Sequence, residues 1–374
     1  MPEVTSAGSG SDLPWGVSPD GYRLPPSTAL GCVRLQVADL DRSVAWYEEV
    51  LGLRASPEGR GMARLTATGA SEPLVELYER PGASPVPRNS RLGLFHFAIL
   101  LPDRPALGRF ASHLHEARRR AETPAPSPAR GESGRPRSGR PGSERPGSER
   151  PGSERSAGVR VGTVGASDHL VSEALYLHDP DGLGVEVYAD RPRSSWRHRD
   201  GELVMATEPL DMHDLMQAGA DSTWEGMPAG TTVGHIHLHV GDLARAQAFY
   251  HQGLGLDRTV WSYPGALFLS AGGYHHHLGV NTWARGAVRP EDDDARLLEW
   301  ELIVPSAEEV KAAVASVEAA AGSAEAAARS VEAAAPGSGP VTPQPGGVLL
   351  HDPWGTALRV RTPSRSDGHV RSDG

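Results

Sequence analysis

An internal duplication constrains this chain more than any other feature. Setting GCVRLQVADLDRSVAWYEEVLGL (residues 31–53) above GHIHLHVGDLARAQAFYHQGLGL (residues 234–256) pairs Gly31 with Gly234, Leu35 with Leu238 and Val37 with Val240. Asp39 and Asp242, Tyr47 and Tyr250, and Leu51 and Leu254 fall at the same offset. A second pair recurs downstream, DPDGLGVEV (residues 179–187) against DPWGTALRV (residues 352–360). Both halves must therefore be built from the same parts.

Periodicity says what those parts are. Val33, Leu35 and Val37, and likewise Ile236, Leu238 and Val240, alternate strictly, which predicts a strand with one buried face. Asp39 and Asp242 are helix-capping types. Leu40, Val44, Tyr47 and Leu51 then recur at helical spacing until Gly52 ends the run. The DPDG and DPWG segments read as turns entering strands. MARLTA, PLVELYE, GLFHFAILLP and EALYL add strands to the first half, and ALFLSAG, HHHLGVN and LEWELIVP to the second. RPALGRFASHLHEA and SAEEVKAAVASVEAA read as helices, so each half holds two strand–helix–strands units, four in all.

The chain has 374 residues, room for two domains. The expected layout is a frayed segment 1–26, a first domain 27–192, a connection 193–231, a second domain 232–362 and a frayed tail 363–374. Two low-complexity inserts interrupt it. RPGSE repeats near 119–158 bury too little apolar surface to order and predict a disordered loop. Ala-rich heptads near 316–336 predict an extension of the preceding helix. No window approaches the roughly 18 apolar residues of a membrane span. The polar N-terminus lacks an export-signal pattern and Cys32 is the single cysteine, so a cytoplasmic protein is expected. A net charge of −10 offers nothing to a phosphate backbone, which argues against nucleic acid and for a small-molecule partner.

The 16 histidines are unusual, and they cluster. His235, His237 and His239 occupy alternate positions of one strand and share a face. In YHHHLGVN, His275 and His277 are expected on one face and His276 on the other. Such rings read either as metal ligands converging from separate strands or as a polar strand face. In the first half, His96 sits mid-strand among apolar residues, as a core histidine or a ligand. Glu186 lies in the apolar strand GVEVYA, where a buried carboxylate requires a cation or several donors. His169 and Tyr176, just upstream, supply an acid/base group and a phenolic donor.

Taken together, D-L-x-x-(S/A)-x-x-(W/F)-Y with L-G-L, and D-P-D-G-x-x-(V/I)-E in a closing strand, resemble the vicinal oxygen chelate superfamily, which includes glyoxalase I and the type I extradiol dioxygenases. GLFHFAILLP, DHLVSEALYLHDPDGLGVEVYADRP, GHIHLHVGDL and SAGGYHHHLGVNTWA are similar to two-domain catechol 2,3-dioxygenase-like proteins of bacteria, over most of residues 27–362. The resemblance implies an α+β fold of four βαβββ modules paired into two cup-shaped half-barrel domains. It implies extradiol cleavage of a catechol-like diol by O2 at Fe(II), with Mn, Zn or Ni as alternatives, and is compatible with a homo-oligomer.

Carried over by residue, His96 and Glu186 match ligands of a first cup, His169 its acid/base and Tyr176 a substrate contact. Cys32 stands where that cup's other histidine is expected, with Arg34 two residues on. In a second cup His235 matches the opening-strand ligand and His277 is the best-placed member of the histidine run, with Arg359 where the glutamate belongs. His237, His275, Glu299 or Glu301 could complete that set. With a ligand missing from each, two alternatives stand: a glyoxalase-like metal-dependent isomerase or hydrolase, and a non-catalytic aromatic-ligand or antibiotic-binding protein.

Overall fold

The computed structural model describes residues 15–87, 89–122, 162, 164–328, 342–344 and 347–364. The first module comprises β1 (Ala29–Val37), α1 (Leu40–Glu49), β2 (Arg54–Pro57), β3 (Met62–Thr66) and β4 (Val75–Glu79). The second comprises β5 (Gly93–Leu100), α2 (Arg104–Glu122), β6 (Gly165–Asp168), β7 (Ser172–His178) and β8 (Gly184–Asp190). A connection follows, with the two-residue strands β9 (His198–Arg199) and β10 (Glu202–Leu203) and the helix α3 (Met212–Ala218). The third module is β11 (Thr232–His239), α4 (Leu243–Ala246) continuing as a π-helical stretch to Gly253, β12 (Asp257–Val260), β13 (Ala266–Ser270) and β14 (Leu278–Asn281). The fourth is β15 (Arg296–Ile303), α5 (Ala307–Ala328), β16 (Thr342–Gln344), β17 (Gly347–His351) and β18 (Ala357–Arg361).

Each module pairs its first and last strands in parallel, a connection that needs a crossover, and the module's helix supplies it. Two modules then join antiparallel through their first strands into an eight-stranded sheet. The partners are not those expected from the two halves. One sheet runs β12-β13-β14-β11-β5-β8-β7-β6, uniting the second and third modules, and the other runs β16-β17-β18-β15-β1-β4-β3-β2, uniting the first and fourth. The cups are thus crossed relative to the segments 27–192 and 232–362. The reason is physical: four modules of one hydrophobic pattern present similar first strands, and nothing in a local pattern says which of them will pair.

The alternation holds along the central strands. Val33, Leu35 and Val37, and Ile236, Leu238 and Val240, are all at most 2% exposed and face the common core. The intervening residues, among them Arg34, His235 and His237, are left to the concave faces. Register shifts interrupt the β11–β5 pair between Val233 and His235 and again between His237 and Leu238, and shifts at the matching places interrupt β1–β15. Such bulges bend a strand and turn successive residues to one side. Phe95 and His96 accordingly both line the same cavity.

The duplicated sequence motifs find each other across the sheets. Tyr47 on α1 donates to Asp179 at 3.3 Å, and Tyr250 donates to Asp352 at 2.9 Å. Each aspartate also caps its own turn, Asp179 accepting from Asp181 and Leu183 N–H, and Asp352 from Trp354 and Thr356 N–H. Burial pushes the Asp179 carboxyl up to about 7 against those backbone donors. The tyrosine and the D-P-x-G turn therefore pin the two modules of each half together while those modules serve different sheets. Gly52 ends α1 with φ +72° and passes so close to Gly226 that a Cβ would lie 2.6 Å from its Cα.

Residues 15–26 depart from the frayed N-terminus expected for 1–26. Tyr22 donates to Glu309 at 2.7 Å, Arg23 pairs with Asp257 at 2.7 Å, and the buried Leu24 donates its N–H to Gly255. Tyr22 and Leu24 pack against Gly255 of the third module, a role that the polarity of the surrounding sequence conceals. The helix α5 runs through Gly322 to Ala328. The RPGSE repeats, the rest of the Ala-rich insert and residues 365–374 lie outside the described residues. No helix among the described residues is long and apolar enough to cross a membrane.

Candidate metal centre

Three adjacent strands aim at one point. Ala98 on β5 is the register partner of both His235 on β11 and Glu186 on β8, and His96 lies two residues along the same face of β5. A small residue between two inward side chains lets them converge. His96 Nε2 lies 3.0 Å and His235 Nε2 3.2 Å from Glu186 Oε2, and one ligand atom of each residue lies within 4.8 Å of the others. All are buried, at 5%, 1% and 2% exposure.

Burial opposes ionisation of Glu186, but the imidazoles of His235 and His96 outweigh it and hold the carboxyl well below its ordinary range. Burial lowers His235 to about 4, with Glu186 pulling the other way, and Nε2 of the ring donates to the Glu186 carboxylate at 3.2 Å, a proton that a bound metal would replace. His96 Nε2 makes no hydrogen bond despite its closeness to the carboxylate. An orphaned buried nitrogen beside a second imidazole and an ionised carboxylate is a donor set suited to a divalent first-row metal.

The cluster lies on the wall of a cavity of about 390 Å³. His169 and Tyr176 line it too. The His169 ring is fixed at both nitrogens: Nδ1 lies 2.6 Å from the Ala206 carbonyl, and Nε2 2.6 Å from Tyr176 Oη. A carbonyl only accepts, so Nδ1 carries the proton and Nε2 of the neutral ring accepts from the phenol. Burial and the Glu186 charge raise the Tyr176 phenol well above its usual value and keep it a donor. Ala206 belongs to residues 204–208, which bridge to Asp168 and run along the mouth, where Thr207 bonds the Tyr263 hydroxyl at 3.0 Å.

The histidine run occupies a bend before β14, so strand alternation does not govern it. The His276 ring lies 4.1 Å from the His235 ring, tilted by 45°, and lines the cavity. His277, the expected ligand, does not join the cluster. Its Nδ1 accepts from the Ala271 N–H at 3.1 Å and lies 3.1 Å from Ser270 Oγ, and burial lowers it to about 3. His275 lies 2.9 Å from Asp190 and 2.7 Å from His276 through its two nitrogens. His237 reaches the cavity because position 279 is glycine: a Cβ there would sit 2.9 Å from its imidazole. His239 turns to Asn281 at 2.7 Å.

His235 therefore stands with His96 and Glu186 in one cup, rather than with His277 and Arg359. The other cup gathers Cys32, Arg34, Glu299, Glu301 and Arg359. Arg34 bonds Glu299 at 2.5 Å, Glu301 at 2.7 Å and Glu76 at 2.7 Å, and Arg359 forks onto Glu299 at 2.5 and 2.9 Å. Arg361 reaches Glu301 at 2.7 Å. Burial first, and then the neighbouring Glu76, raise the Cys32 thiol well above its usual value, so it stays protonated.

His276, Phe95, Trp283 and residues 205–207 are cavity residues that the sequence pattern does not single out. The bulge places Phe95, the bend places His276, and residues 205–207 arrive from a connection without regular periodicity.

The sequence matches the family described as "Glyoxalase/Bleomycin resistance protein/Dioxygenase superfamily" over residues 29–132 and 232–335. It is 39% identical over 287 residues to a protein of Bacillus subtilis (strain 168) named catechol-2,3-dioxygenase, covering 76% of this chain and 85% of that one. A solved structure titled as a putative dioxygenase from Bacillus subtilis subsp. subtilis str. 168 aligns with TM-score 0.50 at 12% identity, covering 91% of this chain and 86% of that one. The crystal structure of glyoxalase I from Zea mays aligns with TM-score 0.44 at 16% identity, covering 90% and 92%. With both repeats matched, this chain belongs to the glyoxalase/bleomycin resistance protein/dioxygenase superfamily.

Proposed function

We propose that the protein is a metal-dependent extradiol dioxygenase that opens the ring of a catechol-like diol with O2, using the cup that holds His96, Glu186 and His235. The observation that carries this reading is the buried, hydrogen-bond-free Nε2 of His96, set beside a second imidazole and a carboxylate on the wall of a cavity that also holds an acid/base pair. The named relative supports the reaction class. Fe(II) is the proposed ion, on the strength of a two-histidine, one-carboxylate donor set. Bound by these residues, it would hold the diol oxygens and O2 side by side and provide the path for electrons between them.

The chain's own residues supply the rest. His169, with Nδ1 committed to Ala206, presents Nε2 as the base that takes a proton from a diol hydroxyl and later returns it, a task suited to imidazole near neutral pH. The Tyr176 hydroxyl that now donates to that nitrogen gives it up when the diol binds, and its one proton then serves developing oxyanion charge. Phe95, Phe268 and Trp283 present aromatic walls to a ring and exclude water around it.

The test is to load purified protein with ferrous salt under anaerobic conditions, add catechol or an alkylcatechol, and admit air. The reading expects a yellow ring-cleavage product with one O2 consumed per diol. Colourless mixtures across a panel of diols would contradict it.

A further inference from the structure

We propose that this cavity selects diols whose ring substituent is uncharged and apolar, or absent, and rejects those bearing a carboxylate or sulfonate; the proposal rests on the ring-cleavage reading above. Among the described residues, no arginine or lysine lines the cavity, and its one acidic side chain is Glu186. Its apolar walls are Phe95, Leu177, Val185, Met205, Phe268 and Trp283, and, the histidines and Tyr176 aside, its other polar side chains, Ser167, Ser172, Thr207 and the Tyr263 phenol, are uncharged hydroxyls.

Arginines on adjoining segments are committed elsewhere. Arg191 bonds Asp168 at 2.6 Å and Glu173 at 3.1 Å, and Arg104 bonds Asp214 at 2.7 Å and Glu173 at 3.1 Å. Arg193 lies over the rings of Trp196 and Tyr274, at 5.5 and 5.7 Å. Of the cavity imidazoles, His235 and His96 face Glu186, and His169 is held between the Ala206 carbonyl and the Tyr176 hydroxyl. A carboxylate on the substrate would exchange its hydration for apolar walls without a counter-charge, in the field of Glu186. Burying an unpaired charge in that way is costly. An alkyl or ester group in the same place gains from leaving water.

The experiment compares 3,4-dihydroxybenzoate with its methyl ester, which present the same diol with an electron-withdrawing carbonyl at the same ring position and differ in charge. Each is titrated calorimetrically into Fe(II)-loaded protein without oxygen. The expected result is an acid Kd at least tenfold above that of the ester. An acid binding within tenfold of the ester, or failure of the ester to bind, overturns the proposal. A Met205→Arg variant places a cation on the wall and is expected to narrow the gap at least threefold; an unchanged gap also overturns it. Admitting air afterwards tests the other reading by itself, since an ester that binds selectively yet is not cleaved counts against dioxygenase chemistry while leaving the selectivity intact.

Discussion

The two cups are one scaffold carrying opposite chemistry. By strand register His237 faces His96 as Arg34 faces Glu299, and the repeat offset puts Cys32 at the position of His235. Glu186 pairs alongside β5 as Arg359 pairs alongside β15. His235, His96 and Glu186 in one cup thus correspond to Cys32, Glu299 and Arg359 in the other. The backbone brings the three positions together in both. Charge then decides the outcome: guanidinium and carboxylate satisfy each other directly and close the second cup, whereas the two imidazoles beside Glu186 leave His96 Nε2 without a hydrogen bond at the point where the three residues converge. What reads as a missing ligand in each half of the chain is, in three dimensions, one cluster of three potential ligands among the described residues, in the cup of His96, Glu186 and His235.

The largest expected effect sharpens the contrast at the level of catalysis. His169→Ala should lower kcat by about 10²-fold while the metal content stays unchanged, because general acid/base groups contribute on that order; parallel kinetics and metal analysis decide it. Next, the closed cup should depend on its ion pairs for stability. Arg34→Met removes a shared partner from Glu76, Glu299 and Glu301, and should cost about 3–5 kcal/mol in urea unfolding with no change in metal content.

The same network gives a pH signature. Burial opposes ionisation of Glu301, but Arg34 and Arg361 hold its folded carboxyl below the ordinary value. Its contribution is therefore fully present above the unfolded value of about 4.3 and is lost as pH falls through the lower folded value. Urea midpoints measured from pH 6 down to pH 3 should show this decline, and Arg34→Met should flatten it. The smallest effect belongs to His277→Ala, which should leave iron content and kcat within about twofold, since that ring bonds Ala271 and Ser270 outside the cluster. A loss of iron there would restore the expectation drawn from the sequence.

Much of this was legible in the chain itself. The alternating residues of β1 and β11, the helix caps Asp39 and Asp242, and the four-module plan follow from patterns local to a few turns or strands. His96, Glu186, His169 and Tyr176 share one module, and the motif there exposes them. The pairing of modules was not legible, since register between distant first strands depends on the assembled core and not on any local signal. Sequence alone therefore groups His235 with the second half, while the fold sets it beside His96 and Glu186. Strand alternation favours His277 over His276, but the run occupies a bend, where alternation does not apply. The Tyr47–Asp179 and Tyr250–Asp352 pins explain why the motifs that reveal the family recur although they lie outside the centre.

The central claim concerns a single ion, held by one cup alone. Elemental analysis of protein reconstituted with ferrous iron, desalted anaerobically, and compared with its Glu186→Ala and Arg359→Ala variants tests it most directly. One iron per chain, lost in Glu186→Ala and kept in Arg359→Ala, is the predicted result. Two irons per chain, or one that survives Glu186→Ala, would contradict it.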